Sequence, residues 1–126
     1  MLQLSHKKLD VYKTSLSLIK EIYLLTSKFP DTEKFGLTNQ LRRAAVSVCS
    51  NIAEGLSRKS DVEKKRFLEI SRSSLVEIDT QIEIALMLKY LDKENIVELE
   101  SYISRVFLML TAMIVKLQSA TEKLTK

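Results

Sequence analysis

Ile96-Val97-Glu98-Leu99-Glu100-Ser101-Tyr102-Ile103-Ser104-Arg105-Val106-Phe107-Leu108-Met109-Leu110 opens the stretch on which the fold turns. Its apolar positions, Ile96, Leu99, Ile103, Val106, Leu110, Met113, Leu117, Ala120 and Leu124, alternate steps of three and four to the end of the chain. That spacing keeps one stripe of a helix turned to its neighbours and packs it at a shallow crossing angle. Asp92, just upstream, is the expected N-cap.

Working back from this helix, Ser60-Asp61-Val62-Glu63 matches a capping box, in which the serine oxygen accepts from the amide three residues on. A third helix therefore starts at Ser60. It carries Phe67, Leu68, Ile70, Leu75, Ile78, Ile82, Ala85, Leu86 and Leu91 and is expected to run to Leu91-Asp92. Upstream again, Leu37, Leu41, Ala44, Ala45, Val48 and Ile52 define a second helix, with Gly55 where a left-handed terminating residue would sit. The first helix, expected over residues 6 to 28, shows two stripes, Leu9, Tyr12, Leu16, Ile19, Tyr23 and Val11, Leu18, Ile22, Leu25, Phe29. Pro30 disfavours helical geometry at Phe29 and ends it.

Composition agrees. Among 126 residues there are two glycines and one proline, too few for the turns of an all-β or α/β fold. One core is the default at this length. Short connections place successive helices of roughly 30 to 45 Å antiparallel. The expectation is an all-α, antiparallel up-down-up-down four-helix bundle, a single domain over residues 1–126. The longest unbroken apolar runs, Ile84 to Leu88 and Val106 to Leu110, fall far short of the roughly 18 residues of a membrane span. The N-terminus lacks a signal-peptide core. A cytoplasmic protein without a membrane partner is expected.

The same residues speak against catalysis. One histidine, His6, and one cysteine, Cys49, are separated by 42 intervening positions, where a zinc site needs several converging ligands. Gln3 stands three residues before His6, so the Glu-x-x-His pair of di-iron bundles is missing. Glu77, Asp79 and Glu83 read as solvated or ion-paired acids. There is no nucleophile elbow, and Gly36 and Gly55 are too far apart for a phosphate loop. No metal, cofactor or enzymatic activity is expected. Cys49 reads as a small core residue, and Tyr12, Tyr23, Tyr90 and Tyr102 as residues at the core edge.

Charge carries more functional content. The net +4 divides as +3 over residues 1 to 30, +2 over 31 to 60, −1 over 61 to 91 and zero over 92 to 126. Around the junction of helices 2 and 3 stand Arg58, Lys59, Lys64, Lys65, Arg66 and Arg72, with Asp61, Glu63 and Glu69 interspersed. Two readings stand side by side: a solvated junction laced with helical ion pairs, or a phosphate-binding patch. Arg42 and Arg43 point in directions about 100° apart on helix 2, so at least one faces away from the Leu41, Val48, Ile52 stripe. Arg43, Ser47, Asn51 and Glu54 share one face and form a polar row suited to hydrogen bonds across a subunit contact. Helix 4 also carries Tyr102, Phe107, Met109 and Ile114 beside its seam, more apolar surface than a lone bundle buries. Self-association is expected.

Gly36-Leu37-Thr38-Asn39-Gln40-Leu41-Arg42-Arg43-Ala44-Ala45-Val46-Ser47, continued by Asn51-Ile52-Ala53-Glu54-Gly55, resembles the signature of the four-helix-bundle family named after 23S ribosomal RNA intervening sequences. Leu9-Asp10-Val11-Tyr12, Ile22-Tyr23, Phe29-Pro30, Phe67-Leu68-Glu69-Ile70 and Glu77-Ile78-Asp79-Thr80-Gln81 are similar to its other fixed points. Tyr12, Cys49 and Ser73 depart from its usual Trp, Pro and Gly. The resemblance implies a small bundle forming a homopentameric ring, encoded in some bacteria inside ribosomal RNA gene insertions. A related branch resembles accessory proteins of diversity-generating retroelements, which bind nucleic acid and a reverse transcriptase. Its implications here are an RNA or DNA partner held by Arg42 or Arg43 with Arg58, Lys59, Lys64, Lys65 and Arg66, and Gln40, Ser47, Asn51, Glu54 and Gly55 as structural signature or subunit contact. The competing reading is a protein-interaction module or accessory subunit whose partner is another protein.

Overall fold

The computed structural model describes residues 1–125, with side chains through Lys123; Leu124, the last position of the apolar seam, falls outside the described side chains. Four helices form, α1 (Asp10–Thr26), α2 (Leu37–Leu56), α3 (Asp61–Met87) and α4 (Val97–Thr125), with single 3-10 turns at Ser5–Lys8, Asp31–Glu33 and Lys93–Ile96. There is no strand among the described residues. Each helix packs on its neighbours in sequence, and α1 closes the square against α4. The inward stripes meet in one core, where Leu18, Ile22, Leu41, Val48, Ile52, Leu68, Leu75, Ile78, Leu99, Val106 and Leu110 lose essentially all contact with water.

Cross-helix contacts show the antiparallel order directly. Ser71 Oγ donates to the Val48 carbonyl at 2.7 Å, Ser47 and Ser74 hydroxyls meet at 3.0 Å, and Gln81 Nε2 donates to Gln40 Oε1 at 3.2 Å. As α3 is followed upward, its partners on α2 run backward. Arg72 bonds to Thr111 at 3.2 Å, while further along α3 Asp79 shares a groove with the earlier Ile103, so α4 runs antiparallel to α3 as well. At the other edge Arg42 Nε donates to Thr26 Oγ1 at 2.9 Å, placing the start of α2 beside the end of α1.

Several boundaries differ from the sequence expectation, each for a local reason. Helix 1 does not begin at residue 6: Leu9 is extended (ψ 142°) and separates the Ser5–Lys8 turn from α1. Asp92 caps the Lys93–Ile96 turn that leads into α4, with its amide donating to Asn95 Oδ1 at 3.0 Å. α3 stops at Met87 because Lys89 takes a left-handed conformation (φ 64°). The Tyr90 amide then reaches back to Ala85 O, and Lys89 N to Leu86 O, the paired bonds of a Schellman ending. Tyr90 is held there by its phenol, which donates to Glu33 Oε2 at 2.8 Å; the other oxygen of that carboxylate accepts from the first amide of α2 at 3.1 Å. The bond to Glu33, with some burial and the carboxylate charge, raises the Tyr90 pKa. At the α3 N-terminus, Ser60 Oγ accepts from Glu63 N at 3.1 Å, as its capping sequence predicts.

Lys93–Lys123 is the one stretch among the described residues long and apolar enough, by length and composition, to cross a membrane. Counting unbroken apolar runs misses it because Ser104, Arg105, Thr111 and Lys116 interrupt the pattern. The same helix supplies Leu99, Val106 and Leu110 to the core while exposing Val97, Leu108 and Val115 on its other side.

Gly55 does not terminate α2. It lies inside the helix without a positive φ, and a Cβ built on it would stand 2.9 Å from Phe67 Cβ and 3.2 Å from Lys64 O. Neither atom can swing away, since both belong to the backbone frame of α3, so glycine is required for the close approach of the two helices. Helix propensity alone would reward Gly55→Ala by about 1 kcal/mol, whereas the forced separation costs about 1 to 3 kcal/mol. We therefore expect Gly55→Ala to lower the urea midpoint, with α2 and α3 amides near the junction losing hydrogen-exchange protection.

Candidate nucleic-acid interface

α2 ends at Leu56, where Ser57 N–H returns to Glu54 O and Ser57 Oγ donates to Ala53 O at 2.8 Å. Ser60 caps α3, so the turn between them holds only Ser57, Arg58 and Lys59 before the cap. This brings Arg58 and Lys59 to the tip of the bundle. Lys64, Lys65 and Arg66 follow near the N-terminal end of α3, where the helix dipole disfavours cations; Asp61 and Glu63 in the first turn offset part of that cost. Successive positions on a helix diverge by about 100°, so the three cannot play one role. Lys64 is half-buried and Arg66 exposed, while Lys65 makes a 3.8 Å ion pair with Glu69.

The turn's two cations differ as well. Arg58 pairs with Glu54 at 3.2 Å and lies over the Phe67 ring, 4.8 Å from its centroid. It covers the apolar ring that Gly55 admits. Lys59 and Arg66 are exposed, with no carboxylate or ring partner among the described residues.

The fold adds two cations that sequence reading missed. His6 is buried with its ring edge-on to Tyr12 at 4.9 Å. Leu4 and His6 line a shallow depression with Ser50, Ala53, Glu54 and Ser57. The Ser5–Lys8 turn is thereby folded onto the end of α2, which brings Lys7 and Lys8 to the same end of the bundle as Arg58 and Lys59. A clue existed in the spacing: His6 and Tyr12, six residues apart, are not neighbours on a continuous helix.

Arg42 and Arg43 do not join this cluster. They lie about fifteen residues before Arg58 on α2, roughly 20 Å away. Arg42 is turned onto α1, donating to Thr26 Oγ1 and, at 3.4 Å, to the Tyr23 carbonyl, with its guanidinium 4.5 Å above the Tyr23 ring. It adds a donor to a carbonyl in the last turn of α1 that already accepts from the Ser27 amide at 3.1 Å, a structural position. Arg43 is exposed in a groove between α2 and α3 beside Asn39, Gln40, Ala44, Ser47, Ser74 and Glu77.

The polar row splits too. Ser47 is engaged with Ser74 inside the chain, and Asn51 Nδ2 donates to the Ser47 carbonyl and hydroxyl at 2.8 and 3.0 Å. Gln40 is bound to Gln81, which is buried and also donates to Glu77 Oε1 at 3.2 Å; Gln81 Oε1 has no donor among the described residues. Only Arg43 and Glu54 of the row face water, and Glu54 is the partner of Arg58. Cys49 is buried; desolvation raises its pKa, with a hydrogen bond from Ser15 acting the other way, the reverse of an activated thiol. Among the described residues no group of three or more His, Cys, Asp or Glu side chains is placed to hold a metal.

What these features define is a small antiparallel four-helix bundle with cations collected at one end. The family model described as 23S rRNA-intervening sequence protein matches residues 7–112, and the chain belongs to that family. It is similar to a crystal structure of a protein with unknown function from the S23 ribosomal protein family of Bacteroides thetaiotaomicron, with 20% identity and a TM-score of 0.76. That likeness covers 82% of this chain and 97% of the other, and at such identity it speaks to the fold. No curated protein matches the chain with significance.

The contrast between Arg58 and its neighbours is measurable. Arg58→Ala should cost about 1 kcal/mol of stability through lost ring and carboxylate contact. Lys59→Ala and Arg66→Ala should stay within about 0.5 kcal/mol of wild type, as read by urea denaturation.

Proposed function

We propose that the protein is a non-catalytic, oligomeric nucleic-acid-binding scaffold that holds a phosphate backbone, RNA foremost, on the basic end of its bundle. The observation that carries this reading is the convergence of Lys7, Lys8, Arg58, Lys59, Lys64, Lys65 and Arg66 at one end, from three separate chain segments. Among the described residues Lys59 and Arg66 have no carboxylate or ring partner, which leaves them available to phosphate. The preference for RNA rests on the family description alone. The homopentameric ring implied by the family resemblance is part of the proposal: repeating the basic end around a ring multiplies weak phosphate contacts on one strand.

Among the described residues the aromatic rings at this end are engaged, Phe67 under Arg58 and Tyr12, half-buried, against the His6 ring. Shape and charge would therefore dominate over base readout. The experiment is a fluorescence-anisotropy titration of structured RNA and duplex DNA at several salt concentrations, with wild type and Lys59→Glu/Arg66→Glu. Among the described residues neither position has a carboxylate partner, so the substitution changes charge without unpairing one. We expect at least a tenfold loss of affinity at low salt and a salt slope shallower by about 1 to 2, one phosphate contact accounting for roughly 0.7 to 0.9. Undetectable wild-type binding at low salt, or binding and slope untouched by the reversal, would turn the assignment toward a protein-interaction module.

A further inference from the structure

We infer that the groove between α2 and α3, midway up the bundle, takes one unpaired guanine of a single strand, with Arg43 and Glu77 reading opposite ends of the base. The inference rests on the phosphate-binding reading above and adds one point of base recognition to it.

Two pairs of bonded side chains frame the groove. Below, the Ser47 and Ser74 hydroxyls meet at 3.0 Å; above, Gln81 Nε2 donates to Gln40 Oε1 at 3.2 Å. Two helical turns, about 10 Å, separate the pairs. Arg43 on α2 and Glu77 on α3 stand between them at the same height, both exposed, on the walls of one groove of about 370 Å³ with Asn39 beside them. Opposite charges so placed ordinarily close onto each other. Here they do not: among the described residues neither is in an ion pair. Glu77 is held back by Gln81, whose Nε2 also donates to its Oε1 at 3.2 Å. A cationic fork and a carboxylate are left facing one another across an open polar gap.

The floor of the groove adds an independent observation. Gln81 is 5% exposed, and its Oε1 has no donor among the described residues. Turning the amide over brings no relief, because its oxygen would then meet the Glu77 carboxylate and the Gln40 carbonyl oxygen. Both hydrogen-bond partners of Gln81 line the groove. The orphan acceptor, costly to leave unmet, therefore lies against the groove floor, where an entering N–H group reaches it once the exposed Gln40 side chain turns aside.

An occupant must offer acceptors to Arg43 at one end and several donors to Glu77 and Gln81 at the other. Guanine has this layout. Its N7 and O6 accept from an arginine fork, while N1–H and the N2 amino group donate side by side to a carboxylate. Adenine and uracil place a donor between acceptors, and cytosine has one donor group, its N4 amino. The donors of guanine belong to its Watson–Crick edge, so only an unpaired base presents them. The groove is also within reach of the basic end. The turn at residues 57–59 joins α2 to α3 at its foot, and Arg43 lies roughly 20 Å above Arg58. A strand held at the turn by its phosphates then runs up the α2–α3 seam to the base site.

Calorimetric titration of the full chain with the ribonucleoside monophosphates tests the groove. Guanosine monophosphate should bind about tenfold more tightly than the adenosine, cytidine or uridine nucleotide. Glu77→Gln should erase that preference and leave the other nucleotides unchanged, because the glutamine still accepts from Gln81 but presents one acceptor where guanine needs two. Arg43→Gln should erase it as well. Both positions are exposed, and circular dichroism checks that helix is retained. Short oligouridine strands with and without one guanosine carry the test to the polymer: the guanosine should tighten binding about tenfold, and Lys59→Glu/Arg66→Glu should weaken both strands while preserving that ratio. Nucleotides undetected or bound alike, a preference for another base, or a guanosine preference that survives Glu77→Gln would overturn the base site, whatever the salt titration shows. Strands that fail to bind while guanosine monophosphate still does would instead remove the phosphate reading and leave the groove standing.

Discussion

The seam between α2 and α3 is the constraint on which the rest of this bundle depends. At its lower end Gly55 lets α3 come within contact of the α2 backbone. Along its length Ser71, Ser74 and Gln81 bond to Val48, Ser47 and Gln40. Apolar stripes alone tolerate a slide of one turn, because leucine packs about as well one notch along. Polar side chains at fixed heights do not, since each buried hydroxyl or amide that loses its partner costs about 1 to 3 kcal/mol. The glycine and the polar ladder together select one register, and that register carries the cations of the α2–α3 turn to the end of the molecule and Asp79 to its middle.

Much of the architecture was legible because it follows from local chemistry. The three-four alternation from Ile96, the break at Pro30 and the Ser60 cap each depend on neighbours within a few residues. Where reading failed, the cause lay across the fold. Lys89 ends α3 in a left-handed conformation that lysine does not advertise; Tyr90, anchored on Glu33 far back in the chain, holds it. Gly55 resembles a terminator in sequence and is a contact point in space. The 3-10 turn before Leu9 is set by His6 finding Tyr12 and the end of α2.

The basic residues divide by what the fold does with them. Sequence identified the α2–α3 junction as cationic, and so it is. It could not tell that Arg42 is bound to the last turn of α1, that Arg58 shelters Phe67, or that Lys7 and Lys8 come alongside. Those facts depend on helix–helix geometry, which places about 20 Å between Arg43 and the basic end. The chain's membership of the 23S rRNA-intervening sequence protein family thus sits with a bundle whose cations the fold sorts into structural and exposed ones.

The α2–α3 register is tested most directly by a disulfide. In a Cys49→Ser background, Ser47→Cys with Ser74→Cys places two thiols where hydroxyls now stand 3.0 Å apart, within reach of a bridge between facing helices. Mild oxidation should join them within one chain, quantitatively and without loss of helix, while Ser47→Cys paired with Ile70→Cys or Ile78→Cys, one turn to either side on α3, should stay reduced. Bridging of a one-turn-shifted pair in preference to Ser47 and Ser74 would contradict the register, and with it the placement of the basic end.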